Sequence, residues 1–221
     1  MSLFDILGPI MVGPSSSHTA GAVRIGYITR VLLGSRPVSA EIALHGSFAA
    51  TGKGHGTDRA LVAGLLGMKP DDMRIPDSFR IAEEEGLDFS IEEIQIPGAH
   101  PNTTLIFLKG EDGKELEVQA SSIGGGRIMI NKIDGIDVNC SGELPTLIIH
   151  NLDQPGLVSK VTARLAEKDI NIATMQIFRD KRGGFAVMVI ETDQPIFKKN
   201  LSYLESIEGV VKVTYFKGEV G

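Results

Sequence analysis

The 221-residue sequence contains one cysteine, Cys140. A lone thiol excludes an internal disulfide, and it excludes a cysteine-rich zinc or iron–sulfur site built from this chain alone. Basic residues are in deficit as well: 22 Lys and Arg stand against 28 Asp and Glu, a net charge of -6. With no basic block, neither nucleic acid nor an anionic membrane is an expected partner, because neutralising phosphate takes clustered Lys and Arg. No apolar run approaches the ~18–20 residues that span a bilayer. No Lys or Arg precedes Arg24, so the charged start of a secretory leader is missing and a cytoplasmic location is expected. Long internal repeats and low-complexity segments are absent too.

What remains is an ordinary globular balance, 42% hydrophobic and 23% charged, in a chain long enough for one large or two ordinary domains. Residues 1–141 are rich in Gly, Ser and His, whereas 146–217 show clean strand and helix patterns. The turn-forming stretch Ser141–Pro145 is the expected boundary, giving domains over 1–141 and 146–221.

The C-terminal part reads as β-α-β-β-α-β, with strands over Thr146–His150, Ile170–Phe178, Phe185–Glu191 and Val210–Phe216. Asp153 is placed to cap the first helix and Pro155 to open it, with Val158, Val161 and Leu165 as its apolar face. Pro195 opens the second helix, with Phe197, Leu201 and Leu204 as its buried side. Both helices are expected on one face of an antiparallel sheet, the ferredoxin-like arrangement. Asp153-x-Pro155-Gly156-Leu157, Leu165, Ile170-Asn171-Ile172 and Met175 together resemble an ACT domain, the small regulatory module of amino-acid metabolism. That resemblance implies self-association and a regulatory ligand site near Asp153 and Gly156, with a purely structural dimerisation module as the other reading.

The N-terminal part reads as α+β, with helices over Ser2–Leu7, Ala20–Leu33 and Asp58–Leu66 and strands near 38–44, 103–108, 115–120 and 128–131. Ile25, Ile28 and Leu32 form the inner face of the second helix; Thr57 is the expected cap of the third and Gly67 its stop.

Four segments place reactive side chains among glycines rather than on amphipathic faces. Gly13 to Gly21 (GPSSSHTAG) sets Ser15, Ser16, Ser17, His18 and Thr19 ahead of a helix, where backbone N–H groups and hydroxyls suit a carboxylate or phosphate. Thr51 to Asp58 (TGKGHGTD) carries His55 between two glycines in what reads as a turn. It is not a P-loop: five residues, not four, separate Gly46 from Gly52, and Gly54 replaces the magnesium-binding hydroxyl. Ala99 to Thr104 offers His100 and Asn102, and Ser121 to Gly126 pairs two hydroxyls with three glycines. Each alone is an ordinary turn; recurring in one domain, such turns mark a ligand pocket. His45 and His150, at strand ends, read as structural.

These segments, in this order, resemble the β portion of bacterial iron–sulfur-dependent L-serine dehydratases: Gly13-Pro14-Ser15-Ser16-Ser17-His18-Thr19, Gly46-Ser47, Gly52 to Asp58, His100-Pro101-Asn102 and Ser122-x-Gly124-Gly125-Gly126. The resemblance implies conversion of L-serine to pyruvate and ammonia, with a 4Fe–4S cluster as Lewis acid. One cysteine cannot hold such a cluster, so a separate alpha chain is implied as its carrier and partner. His55 is then the first choice for the base at the α-carbon and His18 the second. Ser15, Ser16, Ser17 and Thr19 would grip the substrate carboxylate, with His100 and Asn102 orienting it; no cofactor- or metal-binding residue is assigned to this chain. The competing reading is a non-catalytic amino-acid or anion sensor, since the N-terminal part also resembles the allosteric domain of some phosphoglycerate dehydrogenases.

Overall fold

The computed structural model describes residues 11–197 and 201–218, with backbone alone at 52 and 53. The helix expected over Ser2–Leu7 lies outside the described residues. Contacts divide the chain into two units, Met1–Asp134 and Gly135–Gly221.

In the first unit a π-helical turn, Ser16–Gly21, runs directly into α1 (Ala22–Leu33). There follow β1 (Pro37–His45), α2 (Ser47–His55), α3 (Thr57–Leu65), a 3-10 turn (Ile75–Asp77), α4 (Ser78–Glu85), β2 (Asp88–Ile94), β3 (Thr103–Gly110), β4 (Glu115–Gly124) and β5 (Arg127–Ile133). The strands run in the spatial order β2-β1-β3-β4-β5. Only β1 and β2 are parallel, because α2, α3 and α4 form the crossover between them. Ile25, Ile28 and Leu32 of α1 are buried, as are Ile106, Val118 and Ile130 of β3, β4 and β5, the strands against which α1 packs. α1 and α3 cross closely enough that a Cβ on Gly26 would lie 2.2 Å from the Leu61 carbonyl, and one on Gly64 2.1 Å from that of Val23. Any larger residue at either position would push the helices apart.

Two expectations fail here, each for a local reason. The TGKGHGTD segment is not a glycine-rich turn: residues through His55 belong to α2. Its glycines have poor helix propensity, yet Phe48 is wholly buried and anchors the helix, a case of tertiary packing overriding propensity. Thr57 is not a cap either. Gly56, at φ +68°, separates α2 from α3 and takes the cap position, a left-handed conformation that glycine adopts freely, and Thr57 lies inside the helix, fully buried. Finally, α4 and β2 lack the periodicity that would reveal them: α4 buries only Ser78 and Ala82, and β2 has no fully buried residue.

The second unit contains β6 (Ile136–Cys140), β7 (Thr146–Leu152), α5 (Leu157–Ala166), β8 (Ile172–Arg179), β9 (Phe185–Thr192), α6 (Ser202–Glu205) and β10 (Val210–Phe216). Its antiparallel sheet has the order β10-β7-β9-β8, the expected ferredoxin-like topology. Leu147 and Ile149 of β7 and Met188 and Ile190 of β9 point to one face and pack against Leu157, Val161, Leu165, Leu204 and Ile207. The buried stripe of α5 is therefore Leu157, Val161 and Leu165 at i, i+4 and i+8, while Val158 is 40% exposed. A helix begins one residue earlier than Val158, and its inner stripe is fixed by that phase. Near the second helix, Ile196 rather than Phe197 is buried, and Phe197 is 68% exposed. Asp153 does not cap α5, whose cap position belongs to Gly156. Pro155 likewise precedes the helix instead of opening it.

Candidate active site

The first unit gathers its four glycine-flanked segments at one end of the sheet. Ser15 caps the π turn, its Oγ accepting the His18 backbone N–H at 3.1 Å. The π turn and this cap set the direction of the His18 side chain. One ring nitrogen, Nδ1, lies 3.4 Å from Ser15 Oγ, and the other, Nε2, lies 3.1 Å from Ser47 Oγ. A hydroxyl both donates and accepts, so this pair accommodates either imidazole tautomer. Phe48 meets the His18 ring edge-on with centroids 5.4 Å apart, and the His55 ring lies 5.3 Å from that of His18.

Ser47 follows Gly46, whose φ of +57° reverses the chain between β1 and α2. A Cβ at Gly46 would sit 2.6 Å from the Pro101 carbonyl, which accepts the Ser47 N–H at 2.7 Å. The His100–Asn102 loop is thereby tied to the start of α2. Its other end is tied to β4, where Ser122 N–H donates to the Asn102 carbonyl at 2.9 Å. β4 in turn touches the π turn, because a Cβ on Gly21 would fall 2.2 Å from Ser122 Oγ. The four segments thus form a closed ring of contacts around the two imidazoles.

Individual residues differ in what they present. Ser16, Ser17 and His18 are half-buried, and His55 is exposed at the C-terminal end of α2. Thr19 is buried under Gly13, and its hydroxyl has no hydrogen-bond partner among the described residues. His100 is exposed; its Nδ1 accepts the Asn102 N–H at 3.1 Å, so that ring braces the loop. Asn102 Nδ2 reaches toward the Ser122 carbonyl at 3.5 Å. The buried hydroxyls of Thr103 and Ser121, 2.7 Å apart, and the Ser121 bond to Asn131 at 2.7 Å, stiffen the strands beneath. His45 holds the Ile96 N–H through Nδ1, and His150 lies within β7 opposite Val187 and Lys212.

Ser47 and Phe48 are the site contacts that residue-by-residue sequence reading misses. The one available signal is the Gly46–Ser47 pair straight after a strand. Electrostatically, His18 is pulled below the ordinary histidine pKa of 6.5, first by desolvation and then by the neighbouring His55, against a smaller opposing pull from a Ser47 backbone hydrogen bond. Both causes disfavour the imidazolium form of His18, so its ring favours the neutral state.

In the second unit Asp153 and Gly156 flank the turn before α5. Asp153 Oδ2 accepts hydrogen bonds from Gly183 N–H at 3.0 Å and Arg179 Nη1 at 3.1 Å, and these lower its carboxyl pKa in that order. The carboxylate thus joins the turn before α5 to the β8–β9 hairpin. Among the described residues no cluster of His, Cys, Asp and Glu suits a metal ion.

A family described as serine dehydratase beta chain matches residues 2–85, and the ACT domain family matches 145–209. The chain is 42% identical to the probable L-serine dehydratase, beta chain, of Bacillus subtilis, over 96% of both chains. It is 39% identical to the L-serine dehydratase, beta chain, of Peptoniphilus asaccharolyticus, over 97% of both. A more distant relative is D-3-phosphoglycerate dehydrogenase of Archaeoglobus fulgidus, 28% identical over 88% of this chain and 37% of that protein. With two curated beta chains matched along nearly their whole length, this chain belongs to the L-serine dehydratase beta-chain family.

Proposed function

We propose that this chain is the beta subunit of a cytoplasmic L-serine dehydratase, forming one wall of an active site completed by an iron–sulfur alpha chain. The observation that carries this reading is the His18–His55 pair, rings 5.3 Å apart, at the closure of four polar segments. The reaction removes the α-proton and the β-hydroxyl of L-serine as water; the resulting enamine tautomerises to an imine, and water then releases ammonia and leaves pyruvate.

His55, exposed and adjacent to a neutral His18, takes the α-proton, and His18 stays uncharged beside the imidazolium so formed. Ser16 and Ser17, half-buried at the start of a helical run of 18 residues (Ser16–Leu33), hold the substrate carboxylate through backbone N–H groups and hydroxyls. Ser15 and Thr19 support that turn from below, and the loop of His100 and Asn102 closes its side.

Hydroxide leaves poorly, and an electrophile at the β-hydroxyl is the chemistry a 4Fe–4S cluster supplies. The donor set of this chain does not fit that group. Its single cysteine, Cys140, is buried, and burial pushes the thiol up to about 11, far from the thiolate a cluster needs. The cluster accordingly belongs to the alpha chain. The ACT domain serves self-association, with the Asp153–Gly156 turn as its regulatory site.

Reconstituting both chains with His55→Ala tests the assignment. Pyruvate formation from L-serine falls by about 100-fold or more, the scale of a lost general base; near wild-type turnover removes His55 from the mechanism. An anion sensor related to phosphoglycerate dehydrogenase would need N–H groups and positive charge, not two facing imidazoles, one of them held neutral.

A further inference from the structure

We propose that Ser47 is a positioning residue that fixes the His18 ring through its hydroxyl; this rests on the reading that His18 and His55 carry the acid–base chemistry. Both backbone groups of Ser47 are already engaged. Its N–H donates to the Pro101 carbonyl at 2.7 Å, and its carbonyl accepts the Thr51 hydroxyl at 2.8 Å. The residue's place at the start of α2 is thus secured without the side chain. Its Oγ adds nothing to the helix and instead lies 3.1 Å from His18 Nε2.

The second ring nitrogen is met by Ser15 Oγ, itself fixed by accepting the His18 backbone N–H. An imidazole gripped at both nitrogens cannot flip about its χ2 axis without losing both contacts. Phe48, wholly buried on the same helix as Ser47, closes the ring edge at 5.4 Å. One element, α2, therefore carries three parts of the arrangement: the hydroxyl that sets the His18 ring, the aromatic ring that backs it, and His55 at its far end. Because Ser47 and Phe48 are on the same helix as His55, holding His18 to them also holds it in register with His55. Without the Ser47 hydroxyl, the side-chain grip on the ring is that of Ser15 alone, at the longer distance of 3.4 Å. Orientation errors on the order of 1 Å between reacting groups lower rates by up to ~100-fold.

Ser47→Ala removes only the hydroxyl, and Ser47→Thr returns one. Two readouts are needed. Ring 15N shifts of His18, measured in the full beta chain alone, report the state of the imidazole whether or not the enzyme turns over. Steady-state kinetics with L-serine, measured on the complex with the alpha chain, report catalysis. In Ser47→Ala the His18 ring shifts move toward the free-imidazole average, the backbone amide spectrum stays that of the parent, and kcat falls about 10- to 100-fold with KM within about twofold. Ser47→Thr restores both the shifts and kcat. Should Ser47→Ala not fold, Ser47→Cys, similar in volume and a weak hydrogen-bond former, carries the same expectation. Unmoved His18 shifts in the alanine variant, or a kcat loss that threonine does not restore, overturn the assignment. If instead the shifts move while His18→Asn and His55→Ala both retain turnover, Ser47 still holds the ring and it is the acid–base reading that has failed.

Discussion

The sharpest test of the site's architecture is Gly46→Ala measured against Gly86→Ala. Both glycines have left-handed backbone, φ +57° and +71°, so alanine carries the same conformational cost of about 1–2 kcal/mol at each. They differ in surroundings. A Cβ on Gly86 meets nothing within 4 Å, whereas one on Gly46 falls 2.6 Å from the Pro101 carbonyl oxygen. That oxygen is backbone, and it accepts the Ser47 N–H at 2.7 Å, so it cannot move away without straining or breaking this bond. A lost hydrogen bond of about 1 kcal/mol and local overpacking of about 1–3 kcal/mol then add to the backbone term. The expected destabilisation is roughly 3–6 kcal/mol for Gly46→Ala and roughly 1–2 kcal/mol for Gly86→Ala. Native-state hydrogen exchange of β1 and β3 amides reads both values within the unit concerned, where a melt of the whole chain would mix two units. The same variant should disturb the His18 ring resonances, since Ser47 moves with the turn. Equal destabilisation by the two substitutions would refute the claim that the Gly46–Pro101 approach ties the His100–Asn102 loop to α2.

Other consequences are quicker to check. His55→Gln removes the neighbouring ring that lowers the His18 pKa and so raises the His18 titration midpoint, which burial still holds below 6.5; an NMR pH titration reads the shift. Because His18 binds its proton less readily folded than unfolded, its contribution to stability is complete above about pH 6.5 and declines as pH falls toward the lowered folded value; native-state hydrogen exchange in β1 and β3 between pH 7.5 and 5 should show this decline, and His18→Asn should lessen it. Leu165→Ala, at a fully buried position of α5, costs about 2–5 kcal/mol, whereas Val158→Ala, 40% exposed, costs less than ~0.5 kcal/mol; urea unfolding followed by exchange in β7 and β9 separates them. Gly64→Ala forces α1 and α3 apart at the Val23 carbonyl and costs about 1–3 kcal/mol or more, again by exchange.

The strands were legible where alternation or continuous apolar runs met clear turn residues: Val210–Phe216 occurs as read, and β3, β4, β7 and β9 differ only at their ends. α4 and β2 were not, because each buries too little of one face to impose a period. In α5 the period was visible but its phase was not: the sequence reading put Val158 first on the inner face, whereas the helix that starts after Gly156 buries Leu157 instead. Glycine-rich α2 runs against propensity, and it is helical because Phe48 fills the core beneath it. At the site, sequence supplied the reactive side chains His18 and His55 but gave no reason to pair Ser47 with His18, 29 residues earlier in the chain.

Composition and local pattern were sufficient to determine that this chain has two α+β parts and a single cysteine, and to single out the imidazoles and hydroxyls that stand among glycines. Those are properties of residue type and near-neighbour spacing. Tertiary structure alone decided that the two imidazoles lie side by side, that burial disfavours the charged form of His18, and that Ser47 and Phe48 meet its ring, since each depends on long-range packing between the π turn, α2, β4 and the His100–Asn102 loop.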